Sequence, residues 1–110
     1  MKKIETIEKF EELVQNKDAF WLVKHSVTCP ISASAFDEYR QYEGKNNAVD
    51  TYYLIVQDAR DVSNYIAEKY EVRHESPQAL LFVHNNIVWH ASHGQITAAS
   101  LQQVSEENKL

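Results

Sequence analysis

At 110 residues, with 44% hydrophobic residues and only two prolines and two glycines, the chain has the size and composition of one soluble globular domain, with little room for linkers. A net charge of -5 with no basic stripe argues against a nucleic-acid or anionic-membrane surface, and no apolar stretch is long enough to span a bilayer. The single cysteine excludes an internal disulfide framework and suits a reducing cytosol; Lys2-Lys3 leads into Ile4-Glu5-Thr6, not an apolar run, so no signal peptide and a cytoplasmic location are expected.

Thr6 can cap a helix whose residues Ile7, Phe10, Leu13 and Val14 share one face, ending near Asn16. Ala19-Phe20-Trp21-Leu22-Val23 opens a buried strand that reaches His25. Ile31, Ala35, Phe36, Tyr39 and Tyr42 recur at three- and four-residue steps among Asp37, Glu38, Arg40 and Glu43, which predicts an amphipathic helix to about Tyr42. Glu43-Gly44-Lys45-Asn46-Asn47 reads as a turn cluster, and residues 52–56 as a strand apolar enough for the sheet centre. A helix over 59–70 turns Val62, Tyr65, Ile66 and Tyr70 inward.

The loop after it places Pro77 just before a strand over 79–84, which turns through Asn85-Asn86 into a partner over 87–91. Gly94 breaks the pattern, and a last helix begins near Thr97 with Ala98, Leu101 and Val104 inward. Its end, Ser105-Glu106-Glu107, reads as solvated. The order αβαβαββα predicts an α/β fold. A central four-stranded mixed sheet carries helices on both faces and is closed at one side by an antiparallel hairpin.

Between the first strand and its helix lies Ser26-Val27-Thr28-Cys29-Pro30-Ile31-Ser32. Proline is favoured at the first helical position, where its missing N–H would be unpaired anyway. Cys29 then becomes the N-cap, with the free N–H groups of Ile31 and Ser32 pointing back at its sulfur. Those donors and the positive end of the helix dipole favour thiolate over thiol. Ser32, one turn on, can donate its hydroxyl to the sulfur as well. Thiolate is the nucleophile of thiol–disulfide exchange. A lone cysteine is more often a small buried hydrophobe, but this setting marks Cys29 as a working thiol. His84, His90 and His93 suggest a metal site only weakly, because strand residues three apart face opposite sides; no metal is expected.

This order, with its Cys-x-x-Ser turn after the first strand and a proline before the terminal hairpin, resembles the thioredoxin fold over nearly the whole chain, residues 1–110 forming one thioredoxin-like domain. The resemblance implies a cis bond at Ser76-Pro77, with the Ser76 backbone pairing with whatever is disulfide-linked to Cys29. Phe20-Trp21-Leu22-Val23-Lys24-His25-Ser26, Thr28-Cys29-Pro30-Ile31-Ser32 and Glu75-Ser76-Pro77-Gln78 look like the YtxJ-type single-thiol bacilliredoxins of bacillithiol-producing bacteria. The implied function is a monothiol disulfide oxidoreductase that removes bacillithiol from S-bacillithiolated protein cysteines. Cys29 would be the nucleophile and Ser32 would stand in the resolving position.

No bound cofactor is implied; bacillithiol is thiol substrate and reductant, and the partners are capped proteins, bacillithiol and other redoxins. Two departures from dithiol thioredoxins agree with each other: Ser32 replaces the resolving cysteine, and Val23 replaces the buried acid six residues before the nucleophile. Thr28, Pro30, Ser76 and Pro77 are candidate substrate contacts. Lys24, His25, Arg73 and His74 could meet the carboxylates of the carried group, and His25 as an imidazolium would further favour the thiolate. Two other readings stand beside this one. An iron–sulfur carrier of the monothiol glutaredoxin type is disfavoured by the crowding Pro30 and Ile31, and a non-catalytic adaptor would not need Cys29.

Overall fold

The structure, a computed structural model, describes residues 1–45 and 48–110. Its centre is strand β2 (Ala19–His25), whose alternating side chains feed two cores. Phe20 and Leu22 join Phe10, Leu54, Val62, Ile66, Leu80 and Phe82 on one face. Trp21 and Val23 join Phe36, Tyr39, Tyr42, Leu81, Leu101 and Val104 on the other. A sheet covered on both faces needs apolar residues at successive positions, and residues 20–23 are all buried.

Five strands form the sheet in the order β1-β3-β2-β4-β5. Strands β1 (Lys2–Lys3) and β3 (Asp50–Ile55) are parallel, as are β3 and β2. Strands β4 (Gln78–Val83) and β5 (Asn86–Ser92) complete it as an antiparallel hairpin beside β2. The fifth strand is β1; a two-residue Lys-Lys pair carries no apolar alternation by which a sequence could announce it. Helices α1 (Ile7–Asn16) and α3 (Arg60–Tyr70) supply buried residues to the Phe20 face. Helices α2 (Pro30–Lys45) and α4 (Ala98–Glu107) supply them to the Trp21 face, a short 3-10 turn (His93–Gln95) preceding α4.

Local signals place most boundaries. Thr6 accepts from the Lys9 N–H at 3.1 Å and starts α1, and Thr97 and Ser100 form a reciprocal capping box at α4. Three expectations are corrected in the helices and the hairpin, and a fourth at the end of α4. Helix α2 runs past Tyr42 to Lys45, so Glu43, Gly44 and Lys45 are helical; Asn46 and Asn47 lie outside the described residues. Ile31 is not on its inner face but 53% exposed, because that face is set by Ser32, Ala35, Phe36, Tyr39 and Tyr42.

The hairpin turns through His84 and Asn85 rather than Asn85-Asn86. Both have positive φ, 49° and 62°, the left-handed pair that a primed two-residue turn needs. Ser105 is also wholly buried, not a solvated end. Its hydroxyl lies 2.7 Å from the Tyr42 hydroxyl, and the Trp21 indole N–H donates to both oxygens, tying β2, α2 and α4 together.

Candidate active site

The Cys29 turn leaves the carboxyl end of β2 and enters α2. Cys29 is the residue before the helix, its carbonyl accepts the first helical bond from the Ala33 N–H at 3.1 Å, and it is half-exposed. A cysteine held there meets the free N–H groups and the positive dipole end of a sixteen-residue helix. Val27, 58% exposed, and Ile31 stand on either side of it in sequence as apolar surface.

Gln57, just beyond β3, braces the loop before the thiol. Its amide donates to Ser26 Oγ at 2.8 Å and to Thr28 Oγ1 at 3.2 Å, and its carbonyl accepts from the Val27 N–H at 3.3 Å. No local sequence signal connects residues so far apart.

The Ser76–Pro77 peptide bond is cis. It leads into Gln78, which pairs with Lys24 near the end of β2, so the proline loop lies at the sheet edge from which the Cys29 turn springs. The Pro77 carbonyl accepts from the His93 N–H at 3.3 Å, drawing the turn before α4 to the same edge. Beside it, Ile31, Ala35, Gly94 and Ile96 line part of a small, mainly apolar cleft of about 180 Å³. Ser76 Oγ is buried without a hydrogen-bond partner among the described residues.

Ser32 does not serve the sulfur as its spacing suggests. It is fully buried; the Ser26 N–H donates to its oxygen at 2.9 Å, and His25 Nδ1 lies 2.9 Å from that same oxygen. No hydrogen bond joins Ser32 to Cys29 among the described residues.

His25 is not poised as an imidazolium. Burial, and then the nearby Arg40 guanidinium, lower its pKa from the ordinary histidine value, favouring the neutral ring. That ring stacks on Phe36 with centroids 4.3 Å apart.

Lys24 is not a surface contact for substrate. It is 1% exposed, because it follows Phe20 and Leu22 on the same face of β2, a placement the two-residue period already contained. Its ammonium donates to the Ser63 carbonyl at 3.1 Å and lies 3.4 Å from His74 Nδ1, and burial lowers its pKa to about 8. His74 is turned inward too, 2.9 Å from Ser63 Oγ, and burial followed by the Lys24 charge lowers its pKa. Of the four expected cationic contacts only Arg73 is exposed at the surface; Thr28 and Pro30 are exposed as well, while Pro77 is buried.

Strand, Cys-Pro-Ile-Ser turn, helix and proline loop, gathered at one edge of a mixed sheet, define a thioredoxin-fold redox protein with a single thiol. Solved thioredoxins share the fold: that of Fasciola hepatica at 16% identity and a TM-score of 0.78, covering 97% of this chain and 98% of that one. Mitochondrial thioredoxin 3 of Saccharomyces cerevisiae matches at 14% identity and 0.77, covering 97% and 94%. A protein provisionally assigned as an oxidoreductase with a thioredoxin fold is much nearer. It is 45% identical over 94% of this chain and 91% of its own, with a TM-score of 0.88. The family model of the monothiol bacilliredoxin BrxC matches residues 2–101, and the chain belongs to that family. Its chemistry is thiol redox chemistry.

Proposed function

We propose that this protein removes bacillithiol from S-bacillithiolated protein cysteines by a one-thiol exchange. Cys29 thiolate attacks the bacillithiol sulfur of the mixed disulfide, a new S–S bond forms, and the target cysteine leaves as thiolate. Cys29 then carries the cap until a second small thiol or a partner redoxin displaces it. No internal sulfur can do so, since Cys29 is the sole cysteine and Ser32 stands where a resolving thiol would be.

The observation that carries this reading is the half-exposed Cys29 at the mouth of α2, beside the Ser76–Pro77 loop. Helix N-terminal donors support both the attacking thiolate and, later, Cys29 as leaving group. The Ser76 backbone is the edge an extended substrate segment would pair with, Thr28 and Pro30 flank the sulfur, and Arg73 is the exposed cation for a carboxylate of the cap.

The test follows the release of free thiol from a bacillithiol-capped protein in the presence of excess bacillithiol. Wild type turns over repeatedly, and Cys29→Ser reduces release to the rate without protein. Equal release by Cys29→Ser and wild type would reject the proposal in favour of an adaptor role.

A further inference from the structure

Three consecutive residues connect the end of β2 to Cys29, and each gives one group to the same side chain. The Val27 N–H donates to Gln57 Oε1 at 3.3 Å, and Gln57 Nε2 donates to Ser26 Oγ at 2.8 Å and to Thr28 Oγ1 at 3.2 Å. A side-chain amide offers one carbonyl oxygen and two N–H donors, so a single Gln57 serves all three residues. The arrangement runs one way only. With the amide flipped, its NH2 group would face the Val27 N–H, donor against donor. Ser26 Oγ and Thr28 Oγ1 lie 3.4 Å apart and close the ring.

The amide stands on a fixed base. Just before it, the Val56 N–H donates to the His25 carbonyl at 2.9 Å and carries the β2–β3 pairing one residue past β3. Just after it, the Asp58 and Ala59 N–H groups return to the Ile55 carbonyl at 3.0 and 2.9 Å. Helix α2 holds Cys29 from one side through the Ala33 N–H, and Gln57 holds the three residues that approach it from the other.

We propose that Gln57 is a positioning residue for exchange at Cys29. Through the backbone of residues 26–28 it fixes the line along which the sulfur meets a disulfide lying against the Ser76–Pro77 loop. It acts without touching the sulfur. Thiolate attack on a disulfide needs the attacking, central and leaving sulfurs nearly in line, so the direction of the attacking sulfur bears on the rate when its partner is itself held. A small reagent free in solution approaches from whichever side the sulfur faces, and gains nothing from that direction.

The inference rests on Cys29 being the exchanging thiol, and its test contains no bacillithiol. The held disulfide is an extended peptide whose single cysteine is capped with thionitrobenzoate. Cys29 thiolate bonds to the peptide sulfur, the bond to the cap breaks, and the cap leaves as a coloured thiolate followed by absorbance. Iodoacetamide, which alkylates the same thiolate, is the free reagent. In the full-length protein at one pH, Gln57→Ala should lower the exchange rate constant about tenfold while alkylation changes by less than about twofold. Gln57→Asn keeps the amide but withdraws it by one methylene, and should lose exchange as Gln57→Ala does. Gln57 is exposed, so neither change touches the core. Exchange at the wild-type rate in either variant overturns the proposal. So does alkylation that falls in step with exchange, which would put the effect on the thiol's own reactivity and not on its direction. Transfer of a bacillithiol cap to Cys29, read by mass, succeeds or fails whatever this assay shows.

Discussion

Burial of Lys24 puts an ammonium on the α1–α3 face of the sheet, where the Ser63 carbonyl and the His74 ring are its partners. Its pKa is lowered from 10.5 to about 8, so between those values the unfolded chain holds a proton that the folded one has released. Stability therefore rises with pH through that window, and below it the buried charge costs about 3 kcal/mol. Lys24→Met should be more stable than wild type below pH 8 and should lose this rise, as read by urea midpoints across the pH range; an unchanged slope would contradict the buried charge. The lowered values of His25 and His74 act at the acid end. Both favour the neutral ring in the folded state, so stability present above the ordinary histidine value of 6.5 is lost as pH falls through it. Replacing His74 with Gln should shrink that loss, measured as the fall in melting temperature from neutral to mildly acidic buffer.

Between elements, the buried hydroxyl of Tyr42 links the Trp21 indole of β2 to Ser105 of α4. Tyr42→Phe removes only an oxygen, and because the Trp21 N–H still donates to Ser105 Oγ neither partner is left unsatisfied, so it should destabilise the protein by roughly 1 kcal/mol in denaturant unfolding. This linkage shows why some of the fold was legible in the sequence and some was not. Elements α1, β2, α3 and α4 announced themselves because their signals are local: Thr6 and Thr97 caps, apolar spacing, alternation. The end of α2 did not, since Gly44 at a helix terminus and Gly44 in a turn look alike. Ser105 beside Glu106 and Glu107 reads as surface until α4 is docked and its partners arrive from β2 and α2. The site divided in the same way. The turn of Cys29 and Pro30 and the proline before β4 are visible in the chain itself, while the cis bond at Ser76–Pro77 is expected from the thioredoxin resemblance. The partners of Ser32, the inward turn of His74 and the brace from Gln57 depend on residues brought together only by the sheet.

For the molecule as a whole, the sheet's role is to gather three separate segments at one edge: the Cys29 turn, the Ser76–Pro77 loop, and the His93 turn whose N–H bonds the Pro77 carbonyl. In the proposed one-thiol exchange Cys29 accepts a cap that no second sulfur of the chain expels, and adding one should change the outcome. In Ser32→Cys, exchange should end in a disulfide between Cys29 and the introduced thiol, with the cap released, so a capped form no longer accumulates on non-reducing mass analysis. Persistence of the capped form would place residue 32 out of reach of the sulfur. The most direct measurement uses the unaltered protein. Mixed with an equimolar bacillithiol-capped substrate and quenched with acid, both partners are weighed intact. The account predicts that the cap's mass moves from the substrate to this chain and that digestion places it on Cys29. A substrate that keeps its cap while Cys29 remains free and open to alkylation would contradict it.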